Sequence, residues 1–299
     1  MSSEVGQRSA FEAAIKAAPD DASGYAVLGD WLSQRGDPRG ELIALQQQPA
    51  LDRRQREREK ALLMEPSIRC LAGPLAQWRW GFVHTAILVR PASPGRTSGA
   101  GLGALLAHPS MRFVRALTLG QEPLAESLEA LAASAPRVLA SLSLYSPRPL
   151  ELGQLPRGLP ALEHLHLSTP EVSGVLGALP GLTALTVSFL EWGPSTGKAL
   201  LDHNRAQLSR IKVVAAGVFD ARSLDAVLAL PALEHLTLEA SELNVEVIDA
   251  IAGSAAASRL TTLDLARSGL SERGARRMLE LAPGLPRLSN LVMGEAADP

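Results

Sequence analysis

The chain has 299 residues, 46% hydrophobic and only 4% aromatic, with a formal net charge of -2 at pH 7. That length suits about two domains, or one elongated repeat body with an attachment, and the near-neutral charge gives no global pull toward nucleic acid or an anionic membrane. Cys70 is the one cysteine, which excludes an intrachain disulfide, and no apolar run approaches the roughly 18 residues of a membrane span. The N-terminus MSSEVGQRSAFEAAIK lacks a basic segment leading into an apolar one, so no signal peptide is evident and a cytoplasmic location is the expectation.

Residues 1–75 are expected to form a small all-helical domain. VGQRSAFEAAIKAA (5–18) places Val5, Phe11, Ile15 and Ala18 at helical spacing, and Pro19-Asp20-Asp21 ends the run. ASGYAVLGDWLSQRG (22–36) sets Tyr25, Leu28, Trp31 and Leu32 on one face of a second helix. Gly36 follows where a left-handed C-terminal cap is expected. Asp37-Pro38 then reads as an N-cap followed by proline at the first helical position. A third helix is predicted over 39–48 and a fourth over 51–63. Asp30, Trp31, Gly36, Asp37, Pro38, Arg39 and Gly40 are therefore read as a structural corner, a helix stop followed at once by a helix start. Trp31 and Leu32 pack beneath it, and an Asp30–Arg39 ion pair is expected to close it. No nucleophile or metal-ligand set accompanies these residues, which weighs against a catalytic role.

The same stretch, PDDASGYAVLGDWLSQRGDPRGELIALQ, resembles the repeat-companion domain found N-terminal to repeats in myxobacterial and planctomycete proteins. The match runs through Asp30, Trp31, Leu32, Gly36, Asp37, Pro38, Arg39, Gly40, Glu41, Ile43, Leu45 and Gln46, with Gly29 where that family usually has alanine. The resemblance brings no assigned chemistry. It implies a bacterial protein whose helical domain caps the first edge of a repeat array.

From residue 76 to 299 the chain reads as repeats. LPALEHLHLS (159–168) and LPALEHLTLE (230–239) differ at two of ten positions and share the spacing L-x-x-L-x-L. VRALTL (114–119), LASLSL (139–144), LTALTV (182–187), LSRIKV (208–213), LTTLDL (260–265) and LSNLVM (288–293) make eight units, with VHTAIL (83–88) as a weaker ninth. The last two apolar positions lie two apart, so both point to one face of a short strand. Between strands, helical spacing is predicted over 127–134, 223–230, 244–255 and 271–282. One strand and one helix cannot close a core alone, whereas stacked units share one.

This pattern resembles leucine-rich repeats of the ribonuclease-inhibitor-like subtype, diverged. The resemblance implies an α/β solenoid of eight or nine units, with parallel strands on a concave face and helices on a convex one. It departs at the asparagine or cysteine that usually braces the turn after each strand. Those places hold Glu122, Pro147, Pro170, Leu190, Ala216, Ser241 and Ser268. Serine hydroxyls or water are expected to serve some turn backbone groups instead.

Residues alternating with the strand leucines face outward on the concave side. Tyr145, His164, His166, Arg210, Lys212, His235, Glu239 and Asp264 are the candidate partner-binding residues, standing among small ones such as Ser141, Ala184 and Thr186. His235 lies three units from His164, too far to share a metal ion, so no metal and no cofactor is expected. GPSTGKAL (193–200) falls one residue short of the nucleotide-binding loop and lacks its Ser or Thr, so it is read as a linker. RRQREREK (53–60) pairs its own charges, as in Arg53–Glu57, and reads as a solvated helix face.

A smooth face with a few polar posts suits docking a protein or peptide rather than enclosing a small substrate. The expected function is non-catalytic: a protein–protein interaction scaffold that engages an unidentified partner and is monomeric when alone. Two alternatives are an inhibitor of a toxin or enzyme, by fold analogy, and a nucleic-acid adaptor or enzyme working through the N-terminal domain.

Overall fold

The computed structural model describes residues 2–70, 75–89, 99–120, 124–189, 192, 194–215 and 218–294. The chain divides into two compact units, Met1–Ala140 and Ser141–Pro299.

The first unit opens with four helices, α1 (Ser2–Ala17), α2 (Ala22–Ser33), α3 (Pro38–Gln46) and α4 (Arg53–Leu63). Each boundary has a local chemical cause. Asp21 caps α2 by accepting from the Ser23 amide at 3.0 Å. Asp37 caps α3 by accepting from the Arg39 amide at 2.9 Å, with Pro38 in the first turn. Asp52 and Gln55 form a reciprocal capping box on α4. Gly36 takes φ +71, the left-handed residue that lets α2 stop and α3 begin.

Strands β1 (Ala76–Arg79) and β2 (Phe82–Leu88) follow as an antiparallel hairpin. Trp80 and Gly81 at its tip both have positive φ, as tight hairpin turns require. β2 then pairs in parallel with β3 (Ala116–Leu119), while α5 (Gly99–Ala107) and α6 (Leu124–Ser134) complete the unit. VHTAIL is thus a strand, but the antiparallel β1 before it was not anticipated.

Leu42 and Leu45 of α3 close a small core with Leu62 of α4 and Ile68, but α1, α2 and the other face of α3 pack on residues outside the helices. Ile15, Tyr25, Leu28, Leu32 and Ile43 pack in one cluster with Phe82, Phe113 and Val138. Tyr25 lies at its centre, its ring 4.8 Å from Trp80 and 5.6 Å from Phe113, its hydroxyl donating to the Pro19 carbonyl at 3.0 Å. Burial, aided by the charge of Asp20, pushes its phenol up to about 12. In the unfolded chain the phenol ionises near 10.0, so this raised group stabilises the fold below pH 10 and that contribution is lost as pH climbs through 12. Tyr25→Phe should remove a loss of order 2–3 kcal/mol over that window. Chemical unfolding at pH 9, 10.5 and 12 checks this; an unchanged alkaline slope in the variant would refute it.

The second unit is built from β4 (Ser141–Tyr145), β6 (His164–Ser168), β8 (Ala184–Phe189), β9 (Arg210–Ala215), β11 (His235–Glu239), β13 (Thr262–Leu265) and β14 (Asn290–Met293). These pair in parallel and in chain order, each with the next. In β4 through β13 the two leucine-type positions are buried and the alternate residues are not, as with Leu165 and Leu167 beside His164 and His166. Two-residue ladders join β5 (Leu150–Glu151) to β7 (Val172–Ser173) and β10 (Val218–Phe219) to β12 (Glu242–Leu243).

The connections are uneven. The link at GPSTGKAL, between β8 and β9, is helical: residues 194–201 are helix α7 (Pro194–Leu201), with Leu200 and Leu201 buried. The helix predicted over 223–230 is shorter, a 3₁₀ turn followed by α8 (Asp225–Leu228). α9 (Val245–Gly253) and α10 (Glu272–Leu281) match their predicted positions closely.

Turn backbone groups are met by scattered side chains. Ser268, at one of the places lacking asparagine, donates to the Leu265 carbonyl at 2.7 Å. Buried Asn204 accepts from the Leu179 amide at 2.8 Å and donates to the Gly177 carbonyl at 3.1 Å. Glu122, Leu190 and Ala216, three other such places, lie outside the described residues.

Candidate partner-binding face

Register fixes the face of the second unit. Ser141, His164, Ala184, Arg210, His235, Thr262 and Asn290 stand side by side in one row across the strands. Two residues along, Ser143, His166, Thr186, Lys212, Thr237, Asp264 and Val292 form a second row. Tyr145, Ser168, Ser188, Val214 and Glu239 make a third. All eight sequence-selected residues therefore project from the same side of the sheet.

Their contacts run diagonally between rows. Tyr145 and His166 meet edge to face at 5.2 Å, with Oη 3.4 Å from Nδ1. His166 Nε2 lies 3.5 Å from Ser188 Oγ. Lys212 Nζ donates to Glu239 at 2.7 Å. Asp264 accepts from the Ala266 amide at 3.0 Å and so braces its own turn. His164 Nε2 lies 3.9 Å from Glu163.

Burial holds the His164 imidazole below its ordinary value, and the Arg210 charge adds to the effect against Glu163. Burial and then the Lys212 charge do the same to His166. Both rings are neutral at pH 7 on this account. His164 and His235 sit three strands apart, about 14 Å at the usual interstrand spacing. Among the described residues no three His, Cys, Asp or Glu side chains converge to hold a metal ion.

The corner in the first unit has a different character. Arg39 is only 4% exposed. Its Nη2 donates to the Ser67 carbonyl and to Ser110 Oγ, each at 3.1 Å, and Ser110 in turn donates to the Ile68 carbonyl at 2.7 Å. The ion pair expected with Asp30 does not form: Asp30 is exposed, and the carboxylate nearest Arg39 is Asp37 at 4.0 Å. The reason is geometric, since α3 turns the Arg39 side chain inward toward residues 67 and 110. Leu32 is buried as expected, whereas Trp31 stays partly exposed, donating to Gln7 at 3.2 Å with Arg35 stacked 4.0 Å from its ring. A shallow cleft of about 400 Å³ opens there, lined by Arg8, Trp31, Arg35, Asp37 and Ser67 among others. Sequence reasoning missed Ser110, which lies in no run that singles it out, and it gave no partner for the motif residue Gln46, whose side-chain oxygen accepts from the Gly81 amide at 2.8 Å.

No protein-family model matches the chain. No curated protein matches it either. Among solved structures it is similar to a Bacteroides fragilis protein determined as a structural-genomics target, with a TM-score of 0.56 and 16% identity over 64% of this chain. The chain spans 62% of that protein's length. At this identity the likeness concerns the fold alone: a mixed α/β arrangement with a mostly parallel sheet and helices. Among the described residues no helix is long and apolar enough to cross a membrane.

Proposed function

We propose that the chain is a diverged leucine-rich-repeat solenoid, of the ribonuclease-inhibitor-like subtype, that binds a protein partner without catalysis. The helical residues 1–75 act as its N-terminal cap, related to the repeat-companion domain. The partner docks on the strand face, the concave side in this reading. One observation carries the proposal: Tyr145, His164, His166, Arg210, Lys212 and His235 stand in register among Ser, Thr and Ala side chains. Large polar and aromatic posts on a flat floor offer anchors that a partner can surround and desolvate. An inhibitor of a toxin or enzyme is the more particular form of the same reading.

The test is affinity capture from the native cytosol, comparing wild type with Tyr145→Ala/His166→Ala/Arg210→Glu. These side chains lie off the leucine core, so melting temperature should change little. A protein retained by wild type and lost from the triple variant is the expected result. A partner that survives the triple change but is lost on Arg35→Ala would place binding at the α2–α3 cleft and overturn the proposal.

A further inference from the structure

Strand β8 contributes only small side chains, Ala184 and Thr186, to the first two rows of the sheet face. The neighbours on either side are large. β6 presents His164 and His166, and β9 presents Arg210 and Lys212, in register with those two small residues. The result is a trough along β8 with imidazoles on one wall and cations on the other, about 10 Å from β6 to β9 at two interstrand spacings.

We infer that this trough takes an extended acidic segment of a protein partner, with carboxylates on alternate residues, an inference that rests on the sheet-face reading above. The spacing argues for that chemistry. His164 to His166, and Arg210 to Lys212, are two residues apart on their strands, about 6.6 Å. An extended Glu-x-Glu segment presents its carboxylates at the same interval on one side. Charge argues for it as well. Arg210 is exposed and has no ion-pair partner among the described residues, whereas Lys212 is already held by Glu239. A first carboxylate therefore seats at Arg210, and the next reaches toward His166 and the ammonium of Lys212.

The imidazoles add a pH dependence. Cations across the trough help hold both rings neutral at pH 7. The other charged or titratable groups nearby are Tyr145 on β4, Glu163 beside β6, and His235 and Glu239 on β11. A bound carboxylate favours the protonated ring, so binding takes up protons and tightens as pH falls.

The experiment uses the full chain and three capped peptides, Glu-Ser-Glu-Ser-Glu and its Gln and Lys counterparts, by calorimetry and by the ring resonances of His164 and His166. Expected are binding of the acidic peptide only, tightening roughly threefold from pH 7.5 to 6.0, and weakening about fivefold in Arg210→Gln. Arg54→Gln on α4 serves as the control for general charge. Equal binding of the Lys peptide, no movement of the His166 resonances, or indifference to Arg210→Gln would each overturn the inference. If the triple variant still loses its captured partner while the acidic peptide fails, the acidic segment is wrong and the sheet-face reading stands. If the partner is retained as well, both fall.

Discussion

Arg39→Met should lower the stability of the protein by about 2–4 kcal/mol, because it strips a charged donor from buried Ser110 and from the part-buried Ser67 carbonyl at once. The methionine keeps most of the apolar stem, so the loss isolates the guanidinium. That group bonds the Ser67 carbonyl and Ser110 Oγ, and it lies 5.4 Å from the Phe82 ring. It therefore ties α3 to the chain before β1 and to the turn before β3. The opposing effect is desolvation. Burial, with Arg8 and Arg112 nearby, depresses the Arg39 guanidinium against the pull of Asp37, and Nε finds no partner. Replacing the cation recovers that cost, which keeps the net loss below what a well-paired buried ion would give. Ser110→Ala should cost less, and Arg39→Met/Ser110→Ala less than the two losses summed, because the second change removes an acceptor already orphaned. Arg39→Lys should rescue little, since one ammonium lacks the planar fork. Urea titration monitored by tryptophan fluorescence gives these values at constant slope. A loss under about 1 kcal/mol in Arg39→Met would show that the corner does not depend on this residue.

That clamp also marks where sequence stops being informative. The leucines of the repeats fix strand position by parity alone, so His164, His166, Arg210 and Lys212 could be assigned to one face before any pairing was known. Caps are equally local: Asp37-Pro38 and Gly36 act within a few residues of the backbone they serve. Arg39 bonds residues 28 and 71 positions away, and no periodicity encodes such a partner. The diagonal pairs Tyr145–His166 and Lys212–Glu239 depend on interstrand register across 21 and 27 residues. Strand β1 escaped notice because AQWR is four residues long and its pairing is irregular at Gln77/Trp78. The helix at 194–201 was hidden by its interior Gly197, which propensity counts against a helix, while Pro194 stands at the first helical position, where it is tolerated. Burial of Leu200 and Leu201 outweighs that preference.

Two glycine substitutions at the GDPRGE corner, with a third in α1 as reference, should separate crowding from backbone freedom. Gly40→Ala is expected to cost about 3 kcal/mol, the upper range for overpacking. An added Cβ would stand 2.5 Å from the Gly29 carbonyl oxygen and 2.6 Å from the Ser33 nitrogen, both backbone atoms of α2 that cannot rotate away. Relief requires α3 to move off α2. That movement would also loosen the contact between Gly29 and Ile43, where a Cβ on Gly29 would already be 3.0 Å from the isoleucine side chain. Ile43 belongs to the core that includes Tyr25 and Phe82, so the disturbance reaches the hairpin. Gly36→Ala meets nothing within 4 Å, yet its φ of +71 leaves an alanine strained by about 1 kcal/mol. Gly6→Ala lies exposed within α1 with open space around it and should stabilise by about 0.5–1 kcal/mol. Thermal unfolding of the three variants should therefore rank Gly6→Ala above wild type, Gly36→Ala slightly below it, and Gly40→Ala far below both. If Gly40→Ala fell level with Gly36→Ala, the second glycine of the motif would serve the turn, and the close approach of α2 and α3 would not explain it.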